Sequence, residues 1–151
     1  RPRRCEVLAD LLLRALWAVL IASTVLILYR MANRVIVARA RGRRLGLENL
    51  HPGIFAILYF TTPECAPCKT VQRPALISLQ ARLGDSLQVI EVDAAARPEL
   101  ADYWGVLSVP TTFIIDTRGQ ARRVNHGVAS AEKLEKQIED IADKPNLLDN
   151  L

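Results

Sequence analysis

The sequence has few cysteines and no tract of biased composition. These two features argue against a disulfide-rich small domain and against a low-complexity protein. Three cysteines in 151 residues are too few for a small domain held together by several disulfides. Half of the residues are apolar, so the chain is too hydrophobic to be intrinsically disordered. No repeat occurs at the spacing of solenoid proteins. The length suits one ordinary globular domain.

Basic residues are in excess only near the amino terminus. Residues 1–50 hold ten arginines and three acidic residues, whereas residues 51–151 hold ten basic and thirteen acidic residues. A domain that binds nucleic acid carries its basic surface on the folded part of the chain. We therefore expect no nucleic-acid partner.

One long apolar run extends from Leu11 to Tyr29 and contains a single charge, Arg14. In a helix it spans roughly 28 Å, close to the thickness of the hydrocarbon core of a bilayer. Arg14 lies one turn from the end of the run, where its side chain can reach the headgroups. The run predicts a transmembrane helix at about 11–29. A buried core helix and the apolar region of a signal peptide are the alternatives.

The arginines around this run predict its orientation. Six lie in residues 30–44 and three in residues 1–4, so the positive-inside rule puts the carboxy-terminal domain in the cytoplasm. The sequence Ala38-Arg39-Ala40 resembles a signal-peptidase site, but the arginine-bearing stretch before it is untypical of a cleaved signal.

Two nearby features each allow two interpretations. Residues 30–44 fit either a solvated linker or a basic helix on the membrane surface, with Val35, Ile36, Val37 and Leu45 turned inward. Cys5 fits either a palmitoylated or an unmodified cysteine.

From Gly53 onward, short apolar runs alternate with helical patterns. Residues 54–60 and 87–92 are predicted strands covered on both faces. Residues 112–115 and 121–124 are predicted to form a hairpin. The order of elements predicts a parallel right-handed crossover followed by the hairpin, and therefore a small mixed sheet with helices on both faces.

Three helices are predicted in this region. One follows residue 65, one covers 97–103, and one begins after the N-cap Ser130 and stops before Pro145. The apolar face of the first is assigned to Val71, Leu76, Leu79 and Leu83.

Cys65 and Cys68 lie where the first strand passes into a helix, at a spacing that allows a disulfide within one turn. The helix dipole and unpaired N–H groups favour a thiolate at Cys65, so we expect its pKa to be lowered and this sulfur to be the attacking nucleophile. Cys68, one turn further, is expected to be the buried resolving thiol. Lys69 adds a nearby positive charge, which Glu64 opposes.

Two other interpretations of the pair are weaker. A zinc site needs two more ligands, and Cys5, His51 and His126 have no recognised spacing, so we expect no metal and no cofactor. Two cysteines that merely pack in the core are the other alternative. Such cysteines are usually buried away from helix N-termini.

With these motifs, the region from about Leu47 to Lys144 resembles the thioredoxin family. The resemblance rests on Cys65-Ala66-Pro67-Cys68-Lys69, on Val92-Asp93 at the end of the next strand, and on Ser108-Val109-Pro110-Thr111-Thr112. It implies an α/β fold with a thioredoxin-like mixed sheet flanked by helices, preceded here by one N-terminal transmembrane helix.

The resemblance also implies site residues. A cis peptide is expected before Pro110, beside the dithiol. The expected substrate-binding residues are Val109, Pro110, Thr111 and Gly127, and the expected neighbours of the dithiol are Glu64, Ala66, Pro67 and Lys69. His126 is interpreted as a loop residue that could lie near the dithiol, and Trp104 as a packing residue.

The chain departs from the family pattern at several positions. The aromatic-rich sequence before the dithiol is replaced by Thr61, Thr62, Pro63 and Glu64. Tyr59 occupies the place of the buried aspartate that assists the second thiol, and Val89 the place of its lysine partner. Cys68 is therefore expected to lose its proton to water or to another base. The interval between Cys68 and Pro110 has no room for an insertion typical of membrane-tethered cytochrome c maturation relatives.

Together these features predict a membrane-anchored thiol:disulfide oxidoreductase that reduces protein disulfides. Its expected partners are disulfide-containing client proteins, an external reductase and the membrane. We divide the chain into 1–45 (transmembrane helix and basic segment), 46–144 (thioredoxin-like domain) and 145–151 (tail). The alternatives are a non-catalytic membrane adaptor and an extracytoplasmic oxidase or cytochrome c maturation reductase.

Overall fold

The computed structural model describes the backbone of residues 4–40 and 45–143, and the side chains from residue 11 onward within those ranges. Several residues of the orientation argument lie outside the described residues: Arg1, Arg3, Arg41, Arg43 and Arg44. The predicted helix stop at Pro145 and the tail 145–151 also lie outside them. The two interpretations of Cys5 concern a side chain that is not described.

Helix α1 runs from Arg4 to Ala40 and contains the long apolar run. Leu11–Ala40 is long and apolar enough to cross a membrane, with a mean hydropathy of 2.4 over its most apolar stretch, none of which is buried. A continuous helix suits lipid because it satisfies its backbone hydrogen bonds internally. A signal sequence near the amino terminus can meet the same criteria of length and composition, so the helix is a candidate span.

Residues 45–143 contain a four-stranded mixed sheet. Its strands are β1 (Phe55–Thr61), β2 (Leu87–Asp93), β3 (Thr111–Ile115) and β4 (Ala121–His126). Their order across the sheet is β2-β1-β3-β4. β1 and β2 are parallel, whereas β3 is antiparallel to both β1 and β4. The predicted mixed sheet is confirmed.

Helices cover both faces of this sheet. They are α2 (Arg73–Leu83), α3 (Pro98–Trp104) and α4 (Ala131–Asp143). A π-turn, Cys68–Gln72, leads directly into α2. At the start of α4, the Lys133 N–H donates to Ser130 Oγ at 3.3 Å, which is the predicted cap.

The side chains of β1 divide between two core layers. Ile57 and Tyr59 point into a layer that contains the buried faces of α2 and α4 and both cysteines of the pair. Leu58 and Phe60 point into the opposite layer, which contains Trp104 of α3. Burial on both faces explains why the strand sequence is apolar without alternation. The dithiol therefore lies at the edge of a packed layer.

The last residues of α1 belong to the domain core. The chain divides into compact units between Val35 and Ile36. Within the second unit, Ala40 is fully buried, and Ile36 and Val37 pack against the layer that contains Trp104. The domain thus buries Ala40 and partly buries Ile36 and Val37, so these three residues are not a fully solvated linker.

Candidate active site

Cys65 and Cys68 form a disulfide, with 2.02 Å between their sulfurs and 5.2 Å between their Cα atoms. The pair follows β1 after a short turn, in which the Cys65 N–H donates to the Thr62 carbonyl at 3.2 Å. It lies at the start of the helical segment that continues through the π-turn into α2. The strand-to-helix position expected from the sequence is therefore confirmed.

The two sulfurs have different surroundings. Cys65 is 9% exposed and Cys68 is 1% exposed. The Cys68 N–H donates to Cys65 Sγ at 3.2 Å, so this sulfur accepts a hydrogen bond from the first turn of the helix. A donor and a helix N-terminus beside a sulfur stabilise its negatively charged form. Both features favour Cys65 as the more accessible nucleophile.

Exposed residues surround the disulfide. Glu64, Ala66, Pro67 and Lys69 are all exposed. Beside them is a small, open cavity of about 150 Å³. Its lining residues are Thr61, Thr62, Pro63, Lys69, Arg73, Glu91 and Asp93. The cavity therefore carries side chains of both charges.

The peptide bond between Val109 and Pro110 is cis, as the resemblance implies. Val109 packs against both core layers, one of which contains Cys65 and Cys68. Pro110 is buried, and its carbonyl accepts the Gly127 N–H at 2.8 Å. This hydrogen bond joins the segment before β3 to the loop after β4.

Two of the expected substrate-binding residues differ in exposure. Gly127 has a φ of +78°, a backbone conformation that favours glycine, and a Cβ atom there would meet nothing within 4 Å. The space beside this backbone is therefore open. Thr111 is fully buried, and its Oγ1 donates to the Ser108 carbonyl at 2.7 Å. Its side chain holds the loop and offers no surface to a substrate.

Tyr59 lies beneath the second cysteine. Its side chain is fully buried, and its hydroxyl donates to the Cys68 carbonyl at 3.3 Å. Burial is the main cause that raises the pKa of Tyr59 above its ordinary value, and the nearby Glu91 carboxylate adds to the increase. Arg73, which is paired with Glu91, opposes it. At neutral pH the phenol is therefore protonated and cannot accept a proton from Cys68.

His126 ends β4, directly opposite Thr111 in the antiparallel register. Partial burial disfavours the imidazolium and lowers the pKa of His126 below its ordinary value. Its place next to Gly127 puts it beside the loop that contacts Pro110. The sequence predicts a loop residue here, whereas His126 is the last paired residue of β4.

The lowered pKa of His126 predicts acid sensitivity. The unfolded chain binds a proton at a higher pH than the folded chain does, so the contribution of His126 is fully present above about pH 6.5 and is lost as pH falls through the lowered folded value. We expect the free energy of unfolding to fall less between pH 7.5 and 5.5 in His126→Asn than in wild type. Equal falls in denaturant titrations would contradict this prediction.

Gln72 is the site residue that sequence reasoning missed. It is fully buried, and its amide bonds both backbone groups of Ala129. Val71, which was assigned to the buried face, is instead 48% exposed. Gln72 lies four residues before Leu76, and this helical spacing was the available signal. A search for apolar spacing alone passes over a buried glutamine.

No group of three or more histidine, cysteine or acidic residues in the described part of the chain could hold a metal ion. The two sulfurs of the pair are bonded to each other.

Comparison with known proteins agrees with the geometry. The sequence model of the thioredoxin family matches residues 50–140. Thioredoxin of Bacillus subtilis (strain 168) is 30% identical over 79 residues, which cover 52% of this chain and 74% of that protein. Thioredoxin of Listeria monocytogenes is 31% identical over 79 residues, covering 52% and 75%. The oxidised form of mitochondrial thioredoxin 3 from Saccharomyces cerevisiae superposes with a TM-score of 0.54 at 26% identity, covering 64% of this chain and 88% of that one.

Proposed function

Because the chain belongs to the thioredoxin family and is a thiol:disulfide oxidoreductase, we propose that it reduces disulfides of client proteins while anchored in a membrane. Cys65 is the attacking thiol and Cys68 the resolving thiol. An external reductase restores the dithiol after each turnover. The observation that carries the proposal is the asymmetric disulfide, in which the more exposed sulfur accepts a helix N–H and the other is buried behind it.

The proposed reaction has two exchange steps. The Cys65 thiolate attacks one sulfur of the client disulfide, and the other client sulfur leaves as a thiolate that takes a proton from water. Cys68 then loses its proton and attacks Cys65 Sγ, which releases the second client thiolate. Two electrons pass to the client, and the chain is left with the Cys65–Cys68 disulfide.

The client is proposed to bind as an extended segment along Val109 and Pro110. The partly exposed Val109, the cis peptide before Pro110 and the open space beside Gly127 support this arrangement. Thr111 supports the segment from below by its hydrogen bond to Ser108. Glu64 and Lys69, both exposed beside the pair, are proposed to contact the client as well.

Insulin reduction tests the proposed activity. The full chain is assayed in detergent micelles with dithiothreitol as the electron source, in a Cys5→Ser background that leaves only the pair. Acceleration over dithiothreitol alone is the expected result. A rate equal to that of dithiothreitol alone would refute the proposed reductase activity.

The protonated phenol of Tyr59 leads to a prediction about Cys68. In Tyr59→Phe we expect the oxidised protein to lose about 0.5–1.5 kcal/mol of unfolding free energy, because one buried hydrogen bond is removed. The rate of insulin reduction should change by less than about threefold, because the phenol is not the proton acceptor. A fall in rate of tenfold or more would instead assign proton transfer to Tyr59.

Membrane attachment is the second part of the proposal. We propose that residues 11–29 are retained as a transmembrane anchor and that the oxidoreductase domain faces the cytoplasm, where thiols are kept reduced. The exposed apolar side chains of α1 and the six arginines in residues 30–44 support this arrangement.

A reporter fused after Leu151 tests the sidedness. A cytoplasm-active reporter should be active and should sediment with membranes. Activity only outside the cytoplasm would reverse the orientation and favour an oxidase or a cytochrome c maturation reductase. A soluble product that lacks the apolar run and everything before it would identify that run as part of a signal sequence.

A further inference from the structure

Gln72 is a fully buried polar residue at the end of the π-turn. Its Oε1 accepts the Ala129 N–H at 2.8 Å, and its Nε2 donates to the Ala129 carbonyl at 3.2 Å. The side-chain amide thus bonds both the N–H and the carbonyl of one residue, in the way that the backbone of a neighbouring strand does. Ala129 is itself only 1% exposed, so water does not replace these bonds.

A π-turn lies between the dithiol and the buried face of α2. In this turn the Arg73 N–H donates to the Cys68 carbonyl five residues back, whereas an α-helix would bond four residues back. The wider turn changes the phase of α2 relative to the dithiol. Gln72, four and seven residues before Leu76 and Leu79, lies on their buried face, and Val71 is 48% exposed.

Ala129 belongs to a loop that is held from two sides. On one side, the Gly127 N–H bonds the Pro110 carbonyl at 2.8 Å. On the other, Gln72 bonds both backbone groups of Ala129. The loop over residues 127–129 thus connects the helix that carries Cys68 to the cis-proline segment. Its position relative to the disulfide depends on the Gln72 amide.

We propose that Gln72 is a positioning residue that holds the client-binding edge, Pro110 and Gly127, in place beside the disulfide. This inference rests on the proposed function, because it assumes that clients bind at that edge. Without the amide, the buried N–H and carbonyl of Ala129 lose their partners, and the loop must move to regain them. Cys65 Sγ keeps its hydrogen bond from the Cys68 N–H, so we expect the reactivity of the dithiol itself to be unchanged.

The test separates client binding from thiol reactivity. Full-chain Gln72→Met in the Cys5→Ser background keeps the side-chain length and loses both hydrogen bonds. We expect its KM for insulin to rise about tenfold, while kcat and the rate with the small disulfide 5,5′-dithiobis(2-nitrobenzoate) stay within about twofold of wild type. A KM within about twofold of wild type, or a parallel fall in both rates, would overturn the proposal.

Gln137→Met is the matched control. Gln137 also bonds through both amide atoms, in this case to the side chain of Asn125 at 2.9 and 3.0 Å. This pair joins α4 to Asn125 of β4, two residues before the loop over 127–129, and leaves the Gln72 bonds to Ala129 in place. Its loss should lower the unfolding free energy without raising the KM for insulin. A rise in KM equal to that of Gln72→Met would make the effect a general loss of packing and would overturn the proposal.

Gln72→Glu provides a second test that stands if the methionine variant does not fold. A protonated carboxyl group can accept the Ala129 N–H and donate to its carbonyl, whereas the ionised form cannot donate. The ratio of variant to wild-type KM should therefore be near one at low pH and rise with pH. A ratio that is independent of pH would overturn the proposal.

A wild-type chain inactive on insulin would refute the reductase function, whereas an active wild type with an unchanged Gln72→Met KM refutes this inference alone.

Discussion

Cys65→Ser is expected to abolish insulin reduction by the full chain. In the proposed reaction the first bond to the client forms at Cys65, and a serine hydroxyl at the same place is not ionised at neutral pH. Removal of a nucleophile typically lowers the rate of the catalysed reaction about a thousandfold or more. We therefore expect the rate of insulin reduction with Cys65→Ser to equal that of dithiothreitol alone.

The surroundings of the two sulfurs explain why Cys65, and not Cys68, is predicted to attack. Cys65 is the more exposed sulfur and accepts the Cys68 N–H, whereas the substitution leaves the buried Cys68 as the remaining thiol of the pair. The control is Cys5→Ser, which should reduce insulin at the wild-type rate. Equal rates in Cys65→Ser and wild type would remove the catalytic role from this residue and leave the adaptor interpretation.

Cys68→Ser should convert a transient intermediate into a stable one. The first exchange step can still occur, but no second thiol is available to attack Cys65 Sγ and release the client. Clients should therefore remain attached through a mixed disulfide. We expect high-molecular-mass adducts on non-reducing gels of cells that express the full-length variant, and their disappearance on reduction.

The adducts identify both the chemistry and the clients. The Cys65→Ser/Cys68→Ser double variant is the control and should form none, and the Cys5→Ser background prevents adducts at the amino terminus. Mass spectrometry of the captured proteins then reports the compartment to which the domain is exposed. An absence of adducts specific to Cys68→Ser would contradict the assigned order of attack and resolution.

Much of the fold could be predicted because the patterns that indicate it lie within short stretches of the sequence. The unbroken apolar run of β1 predicted a strand buried on both faces, and both of its faces pack against helices. The spacing of Cys65 and Cys68 predicted a disulfide at a helix start, and the pair is bonded there. The cis peptide before Pro110 followed from resemblance, since no local pattern distinguishes a cis from a trans proline.

The features that were missed depend on contacts between distant parts of the chain. Gln72 takes the buried position that the sequence assigns to Val71, and its amide is satisfied there by Ala129, 57 residues away. The burial of Ala40 similarly requires the layer around Trp104. The substitution of tyrosine for the expected aspartate at position 59 was evident, but the hydrogen bond from its hydroxyl to the Cys68 carbonyl was not.

The central claim is that Cys65 attacks and Cys68 resolves, and a brief alkylation of the reduced full chain tests it most directly. The chain is treated with dithiothreitol, freed of it, exposed to iodoacetamide for increasing times at neutral pH, quenched in acid and mapped by peptide mass spectrometry. Our account predicts that Cys65 is modified well before Cys68. Modification of Cys68 first, or of both at the same rate, would contradict it.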